Sequence, residues 1–107
     1  MTARLKTSIW VQATLRAGLN GVVLHRGDPD AGGILVVLRG RQGLAVFSRI
    51  TGPEGEPAWM RAIRAEPLGE AEADAYIARQ TGRDPDLWVI EMEAPDLVLP
   101  FEGRIVT

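Results

Sequence analysis

Two Asp-Pro-Asp triplets hold the side chains best suited to metal binding or acid–base chemistry in this sequence. The first contains Asp28 and Asp30, and the second contains Asp84 and Asp86. Carboxylates can hold Mg²⁺ or carry protons in a reaction. Such triplets are also typical of turns, in which an aspartate accepts a hydrogen bond from nearby backbone. We expect them to form turns and predict no metal site, while keeping Asp28 and Asp30 as candidate binding residues.

The sequence predicts no catalytic residues. Its one histidine, His25, would have to act as the general base in any Ser-His-Asp triad. The candidate nucleophiles are Ser8 and Ser48, and neither lies in the Gly-x-Ser-x-Gly turn that exposes such a serine. A nuclease that pairs Pro-Asp with Glu-x-Lys is disfavoured because the only lysine is Lys6. The glycines match neither a phosphate loop nor a dinucleotide fingerprint. We favour a protein that is not an enzyme and uses no cofactor.

Basic side chains cluster around one predicted hairpin. Arg39, Arg41 and Arg49 flank it, and Arg4 and Lys6 could complete a patch for phosphates. No aromatic residue is interleaved with them, and the isoelectric point is near 5.3, so nucleic acid is not the expected partner. Nucleic-acid or phosphate-ligand binding through this Arg-rich edge is the alternative function. A small metal-dependent hydrolase using the first Asp-Pro-Asp triplet and the histidine is a less favoured one.

Three tryptophans make up half of the aromatic residues, and they fall into two groups. Trp88 lies in a segment of alternating polarity and is predicted to anchor the core. Trp10 and Trp59 neighbour charged or polar residues, which favours a place at a binding surface. Arg26, beside the first Asp-Pro-Asp triplet, completes the candidate binding residues.

A chain of 107 residues, 46% of them hydrophobic, can bury one modest core. We expect a single domain over residues 1–107, with residues 94–107 as an extended arm. The absence of cysteine excludes a disulfide framework and is typical of a reducing compartment. The longest apolar runs, such as residues 33–38, are far shorter than the roughly 20 residues of a membrane span, and the N-terminus lacks a signal-peptide pattern. The sequence therefore predicts a cytoplasmic protein.

Charge is distributed unevenly along the chain, although the net charge is only −2. Residues 1–50 carry seven basic and two acidic side chains, whereas residues 51–107 carry five basic and twelve acidic ones. Such halves can face each other in the fold, form a bipolar surface or associate head to tail.

Local patterns predict the secondary structure. Residues 9–17 have N-cap types before them and glycines after them, which predicts a helix. Residues 22–26, 34–38 and 44–50 are apolar runs separated by turn residues, and they predict a three-stranded meander that starts with a hairpin.

The second half predicts three further elements. Residues 58–64 favour a fourth strand, residues 68–81 a helix with acids first and arginine last, and residues 87–93 a strand with one apolar face. The order α-β-β-β-(β)-α-β predicts an α+β fold, a small antiparallel sheet of four or five strands with two packed helices.

Four stretches together resemble a family of short alphaproteobacterial proteins known only as a domain of unknown function. They are residues 4–13, 26–32, 76–80 and 84–91, which read RLKTSIWVQA, RGDPDAG, YIARQ and DPDLWVIE. The resemblance spans roughly residues 4–93, and the tail beyond is expected to lie outside the shared pattern. It implies a bacterial cytoplasmic protein and supplies no activity, cofactor or catalytic residue.

The leading functional hypothesis is a non-catalytic protein-interaction module that forms a homodimer or larger homo-oligomer. On a helical wheel, the first predicted helix is apolar on two sides, with Ile9, Trp10 and Ala13 on one and Val11 and Leu15 on the other. A second copy, meeting the helix or the adjoining sheet edge, would cover the second side. The ligand, any further protein partner and the pathway are not specified by the sequence, and no membrane partner is expected.

Overall fold

A six-stranded sheet and a helix packed against it form most of the described structure. The structure is a computed structural model that describes residues 11–12, 20–30, 32–63, 67–100 and 104–106. The elements, in chain order, are β1 (Val22–His25), β2 (Ile34–Arg39), β3 (Leu44–Thr51), β4 (Pro57–Arg61), α1 (Glu70–Arg83), β5 (Trp88–Glu93) and β6 (Arg104–Val106).

The sheet is mixed, in the spatial order β1-β5-β2-β3-β4-β6. Strand β5 runs parallel to β2, and β6 runs parallel to β4, whereas the other neighbours are antiparallel. Parallel neighbouring strands need a long crossover connection. Here the segment that contains α1 leads from β4 to β5 and brings β5 beside β2.

Both faces of the sheet are covered, which explains why β2 is apolar at every position from Ile34 to Leu38. The first face, called face 1 below, belongs to a core made by Val11, Ile34, Val36, Leu38, Ala45, Phe47, Trp59, Trp88, Ile90, Met92, Ala94 and Leu99. The second, face 2, belongs to a core made by Leu35, Val37, Leu44, Val46, Leu68, Ala73, Leu87 and Val89.

Helix α1 packs on face 2 through one buried alanine, Ala73, with Tyr76 and Ile77 partly buried beside it. Its first turn carries Glu70 and Glu72 and its last turn carries Arg83, the order that the helix dipole favours. Leu68, just before the helix, exchanges backbone hydrogen bonds with Leu44 of β3, so the start of α1 is fixed to the sheet.

The predicted antiparallel sheet of four or five strands with two helices is wrong. The sheet has six strands and is mixed, and the described residues contain one complete helix. Val11 and Gln12 are helical, and the rest of the first predicted helix lies outside the described residues.

The predicted hairpin between the first two strands is also wrong, because β5 lies between β1 and β2. The residues between β1 and β2 do have the composition of a turn, but the β1 backbone bonds to a strand about 65 positions away. Residue types that favour a turn do not indicate which distant strand will pair with β1.

Other predictions are confirmed within a few residues. Strands β2 and β3 form the expected hairpin, β4 is the fourth strand, and α1 and β5 occupy the predicted segments. In the described part of the tail, Ala94 and Leu99 are buried on face 1, and β6 extends the sheet beside β4. Among the described residues, no helix is long and apolar enough to cross a membrane.

A pair of glycine substitutions tests how the start of α1 is fixed. At Gly43, φ is +149° and a Cβ would lie 2.7 Å from the Leu68 carbonyl oxygen, so Gly43→Ala should cost about 1–3 kcal/mol. Gly82, inside α1, has open space around it, and Gly82→Ala should stabilise by up to about 1 kcal/mol. Urea unfolding of both variants measures the difference, and equal effects would contradict the described turn.

Candidate functional site

The two Asp-Pro-Asp triplets lie side by side at one end of the sheet, next to β1. The Asp28 amide donates to the Asp86 carbonyl oxygen at 2.9 Å. Gly27 allows this approach, since a Cβ there would fall 2.0 Å from the same carbonyl oxygen. The sequence showed both triplets but gave no sign that they meet.

Each triplet is closed by its own first aspartate. The Asp30 amide donates to Asp28 Oδ2 at 3.2 Å, and the Asp86 amide donates to Asp84 Oδ1 at 3.1 Å. The prediction that these acids form turns is therefore confirmed for Asp28 and Asp84. The part of the chain that the structure describes contains no group of three metal-ligating side chains.

Trp88 lies beneath the paired turns and ties them to the core. Its side chain is only 4% exposed, and its indole Nε1 donates to the Asp28 carbonyl oxygen at 2.7 Å. The Arg26 guanidinium stands 5.7 Å from the centre of the Trp88 ring, within cation–π range. His25 Nδ1 lies 2.7 Å from the Leu87 carbonyl oxygen, so the ring nitrogen donates there. The predicted core role of Trp88 is confirmed.

Arg39 forms hydrogen-bonded ion pairs with two carboxylates of its own chain. Its Nη2 lies 3.0 Å from Glu91 Oε1 and its Nε lies 3.3 Å from Glu91 Oε2, while Nη1 binds Glu70 at the start of α1. The hydrogen bonds to Glu70 and Glu91 raise the pKa of Arg39 further above its ordinary range. The hydrogen bond from Arg39 lowers the pKa of Glu70.

The three hairpin arginines do not form one patch. Arg39 follows the face 2 residues of β2, whereas Arg49 pairs with Trp59 and shares face 1. Arg41 lies in the turn, 3.7 Å from Asp96. The register separates Arg39 from Arg49, because Arg39 lies opposite Leu44 of face 2 and Arg49 lies opposite Trp59 of face 1, and directly opposed residues point to the same face. Arg4 and Lys6 lie outside the described residues.

Trp59, a predicted interface residue, is buried in the core instead, with 2% of its surface exposed. It shares face 1 with Phe47 on the neighbouring strand, so the alternation of β4 turns it inward. The charged residue of β4 closest to it, Arg61, lies 5.0 Å from the centre of the Phe47 ring. Trp10, the other candidate, lies outside the described residues.

Sequence reasoning missed the exposed apolar side chains of β1. Val22 is 55% exposed and Leu24 is 48% exposed, although both belong to a strand. The apolar run predicted a strand correctly, but only the sheet order shows that this strand stands at the end of the sheet.

A shallow groove of about 290 Å³ lies at the opposite end of the strands from the paired turns. Its lining comprises Arg41, Gln42, Pro67, Pro95, Asp96 and Leu97. Leu97 has a φ of +57°, and its side chain packs over Gly40. The groove contains the exposed ion pair of Arg41 and Asp96 beside the apolar residues Pro67, Pro95 and Leu97. Its lining residues include no nucleophile in contact with a base.

A family model described as "Protein of unknown function (DUF1491)" matches residues 5–102. The chain belongs to the DUF1491 family. The resemblance drawn from the four sequence stretches is thereby confirmed, but the DUF1491 match continues well past Glu93, so the tail was wrongly expected to lie outside the shared pattern.

Solved structures of DUF1491 proteins share this fold. A crystal structure of a DUF1491 family protein from Caulobacter crescentus is 36% identical, with a TM-score of 0.82 over 96% of this chain and 100% of that one. An NMR structure of a DUF1491 family protein from the same organism is 34% identical, with a TM-score of 0.80 over 99% and 100%. A solution structure of a protein from A. tumefaciens is 25% identical, with a TM-score of 0.73 over 95% and 99%. No curated protein matches the chain.

Replacing Trp88 should separate its packing from its hydrogen bond. Trp88→Ala removes a buried aromatic and should cost about 3–5 kcal/mol. Trp88→Phe keeps an aromatic ring but loses the bond to the Asp28 carbonyl oxygen, and should cost about 1–2 kcal/mol. Thermal and urea unfolding give both values, and an unchanged melting temperature for Trp88→Ala would show that the ring does not support the core.

The bond from Arg39 should make stability depend on pH through Glu70. Because the pKa of Glu70 is lowered in the folded state, its contribution is present above the ordinary carboxyl pKa of about 4.3 and is lost as pH falls through the lowered value. Glu70→Gln should therefore melt below the wild type at neutral pH and match it in acid. Asp74→Asn, an exposed acid of the same helix, is the control. A pH-independent difference would contradict the pairing.

Proposed function

We propose that the protein is a non-catalytic interaction module that self-associates, with β1 at the contact. The observation that carries this proposal is the exposure of Val22 and Leu24 on a strand that ends the sheet. Edge strands in soluble proteins are usually protected by charged residues or proline, and β1 reads Val-Val-Leu-His. An apolar edge of this kind is expected to be covered by another protein surface.

The paired turns support this proposal because they hold β1 in place. β1 runs directly into the first turn, and the Asp28 amide bonds to the second turn. Trp88 then joins the first turn to the buried core. A surface that is already rigid loses little conformational entropy on binding, which favours association.

The ion pairs weigh against phosphate binding as the main function. Arg39 is held by Glu70 and Glu91, and Arg41 lies near Asp96, so a phosphate would have to compete with carboxylates of the same chain. The hydrolase alternative lacks support from the paired turns, because Asp28 and Asp84 each use one oxygen to close their own turn.

Sedimentation of matched valine variants tests the proposal. The wild type should be a dimer or larger at tens of micromolar protein, at both low and high salt, because an apolar contact is little screened. Val22→Thr keeps the β-branched shape but adds a hydroxyl, and should weaken association about tenfold. Val98→Thr is the control, since Val98 is 68% exposed outside any strand.

The proposal fails if the wild type is a strict monomer under both conditions. It also fails if Val98→Thr weakens association as much as Val22→Thr does, because the contact would then not depend on β1. Thermal melting of each variant confirms that a change in association does not come from unfolding.

A further inference from the structure

We infer that Asn20 is a site of spontaneous deamidation, and that its conversion to a carboxylate weakens the attachment of β1 to β5. The reacting groups both belong to the chain itself, and the co-reactant is water. The inference concerns the residues that lead into β1, and it does not depend on self-association. It rests on the sequence at this position, on the backbone conformation and on the partner of the Asn20 side chain.

Asn20 is followed by Gly21, and this pair favours attack of the backbone on the side-chain amide. Asn20 is the only asparagine in the chain. The nucleophile is the Gly21 backbone nitrogen, and glycine has no Cβ to hinder its approach to the neighbouring side chain. Because the two groups belong to adjacent residues, the reaction needs no encounter between molecules.

The backbone around Asn20 permits this reaction. Asn20 is exposed and has a φ of +50°, and both it and Gly21 lie outside any helix or strand. Asparagine adopts this left-handed conformation more readily than most residues, which accounts for its place at the entry to β1. A side chain inside a helix or strand is held away from the next amide by the regular backbone, and that restraint is missing here.

The reaction balances with water alone. The Gly21 nitrogen forms a bond to Asn20 Cγ, the bond from Cγ to Nδ2 breaks, and Nδ2 leaves as ammonia together with the Gly21 amide proton. Water then opens the cyclic imide, adding hydroxyl to one of its two carbonyl carbons and a proton to its nitrogen. The product is aspartate or isoaspartate, and nothing is oxidised or reduced.

The side chain of Asn20 links the start of β1 to the end of β5, so the reaction has a structural consequence. Asn20 Nδ2 donates to Glu93 Oε2 at 3.2 Å, and β1 begins two residues later. Deamidation replaces this donor with a second carboxylate beside Glu93. The hydrogen bond is then lost, and two like charges repel each other. β1 has only four residues and a register shift against β5, so it has few other bonds to hold it.

Peptide mapping by mass spectrometry tests the reaction. During incubation at mildly alkaline pH, the acid should appear at Asn20 at least about tenfold faster than at Gln42, whose longer side chain must close a larger ring. Gln42 is the internal control because it is exposed and also precedes a glycine, Gly43. Gly21→Ala should slow the reaction. Asn20→Gln keeps a side-chain amide and should slow it as well, so the test does not depend on the folding of one variant.

A charge variant tests the consequence without waiting for the reaction. Asn20→Asp should lower the melting temperature by about 2–6 °C. The loss should shrink at high salt, because exposed charges are screened. Adding Glu93→Gln places an amide donor beside the new carboxylate and should restore most of the loss. Gln42→Glu makes the same change of charge at another exposed amide and is the control.

Hydrogen exchange shows whether the effect is local to β1. In Asn20→Asp, the amides of β1 should exchange faster than in the wild type, while those of the buried strand β3 should stay unchanged. Gln42→Glu should leave exchange in β1 unchanged.

The outcomes separate this inference from the proposed function. A wild type that deamidates at Asn20 no faster than at Gln42 overturns the site. If Asn20→Asp melts and exchanges like the wild type, or if Glu93→Gln restores nothing, the structural consequence is overturned. A monomeric wild type that deamidates preferentially at Asn20 supports this inference and overturns only the proposed self-association.

Discussion

The parallel pairing of β2 with β5 is the contact on which most of this structure depends. It joins residues more than 50 positions apart, with Ile34 opposite Trp88 at one end and Arg39 opposite Glu93 at the other. At the first end it brings the two Asp-Pro-Asp turns together, because each turn lies a few residues before one of the paired strands. Near the second end it places Arg39 beside Glu91. Both polar features of the molecule are therefore consequences of one strand pairing.

That pairing is stable because both of its faces are buried. Val36 and Ile90 pack in the core of face 1, and Leu35 and Val89 pack in the core of face 2, where α1 covers the sheet. Parallel strands are usually buried on both faces, because the helix in the crossover connection between them packs on the sheet. The bond from Arg39 to Glu70 then fixes the start of that helix to the same strand. Burial of apolar side chains therefore determines the β2–β5 pairing, and the bond from Arg39 to Glu70 adds to its stability.

The sequence predicted those features that depend on neighbours in the chain. The acids at the start of α1, the apolar run of β2 and the alternation of Trp88 with Val89 are local signals, and each identified its element correctly. Sheet order is different, because pairing β1 with β5 rather than β2 is decided by packing across the whole chain. The candidate site shows the same division. Asp28 was recognisable as a turn former, but its bond to the Asp86 backbone needed the fold.

The charge asymmetry along the chain has a physical explanation that bears on function. Arg39 and Arg41 come from the basic half, and their partners Glu70, Glu91 and Asp96 come from the acidic half. These pairs show the two halves facing each other within one molecule, at least along this part of the sheet. Charges that are matched internally offer little to a highly charged partner, because that partner would have to displace existing ion pairs. The self-association that we propose would therefore rely on apolar side chains, and among the strands the largest exposure of such side chains is at Val22 and Leu24 of β1.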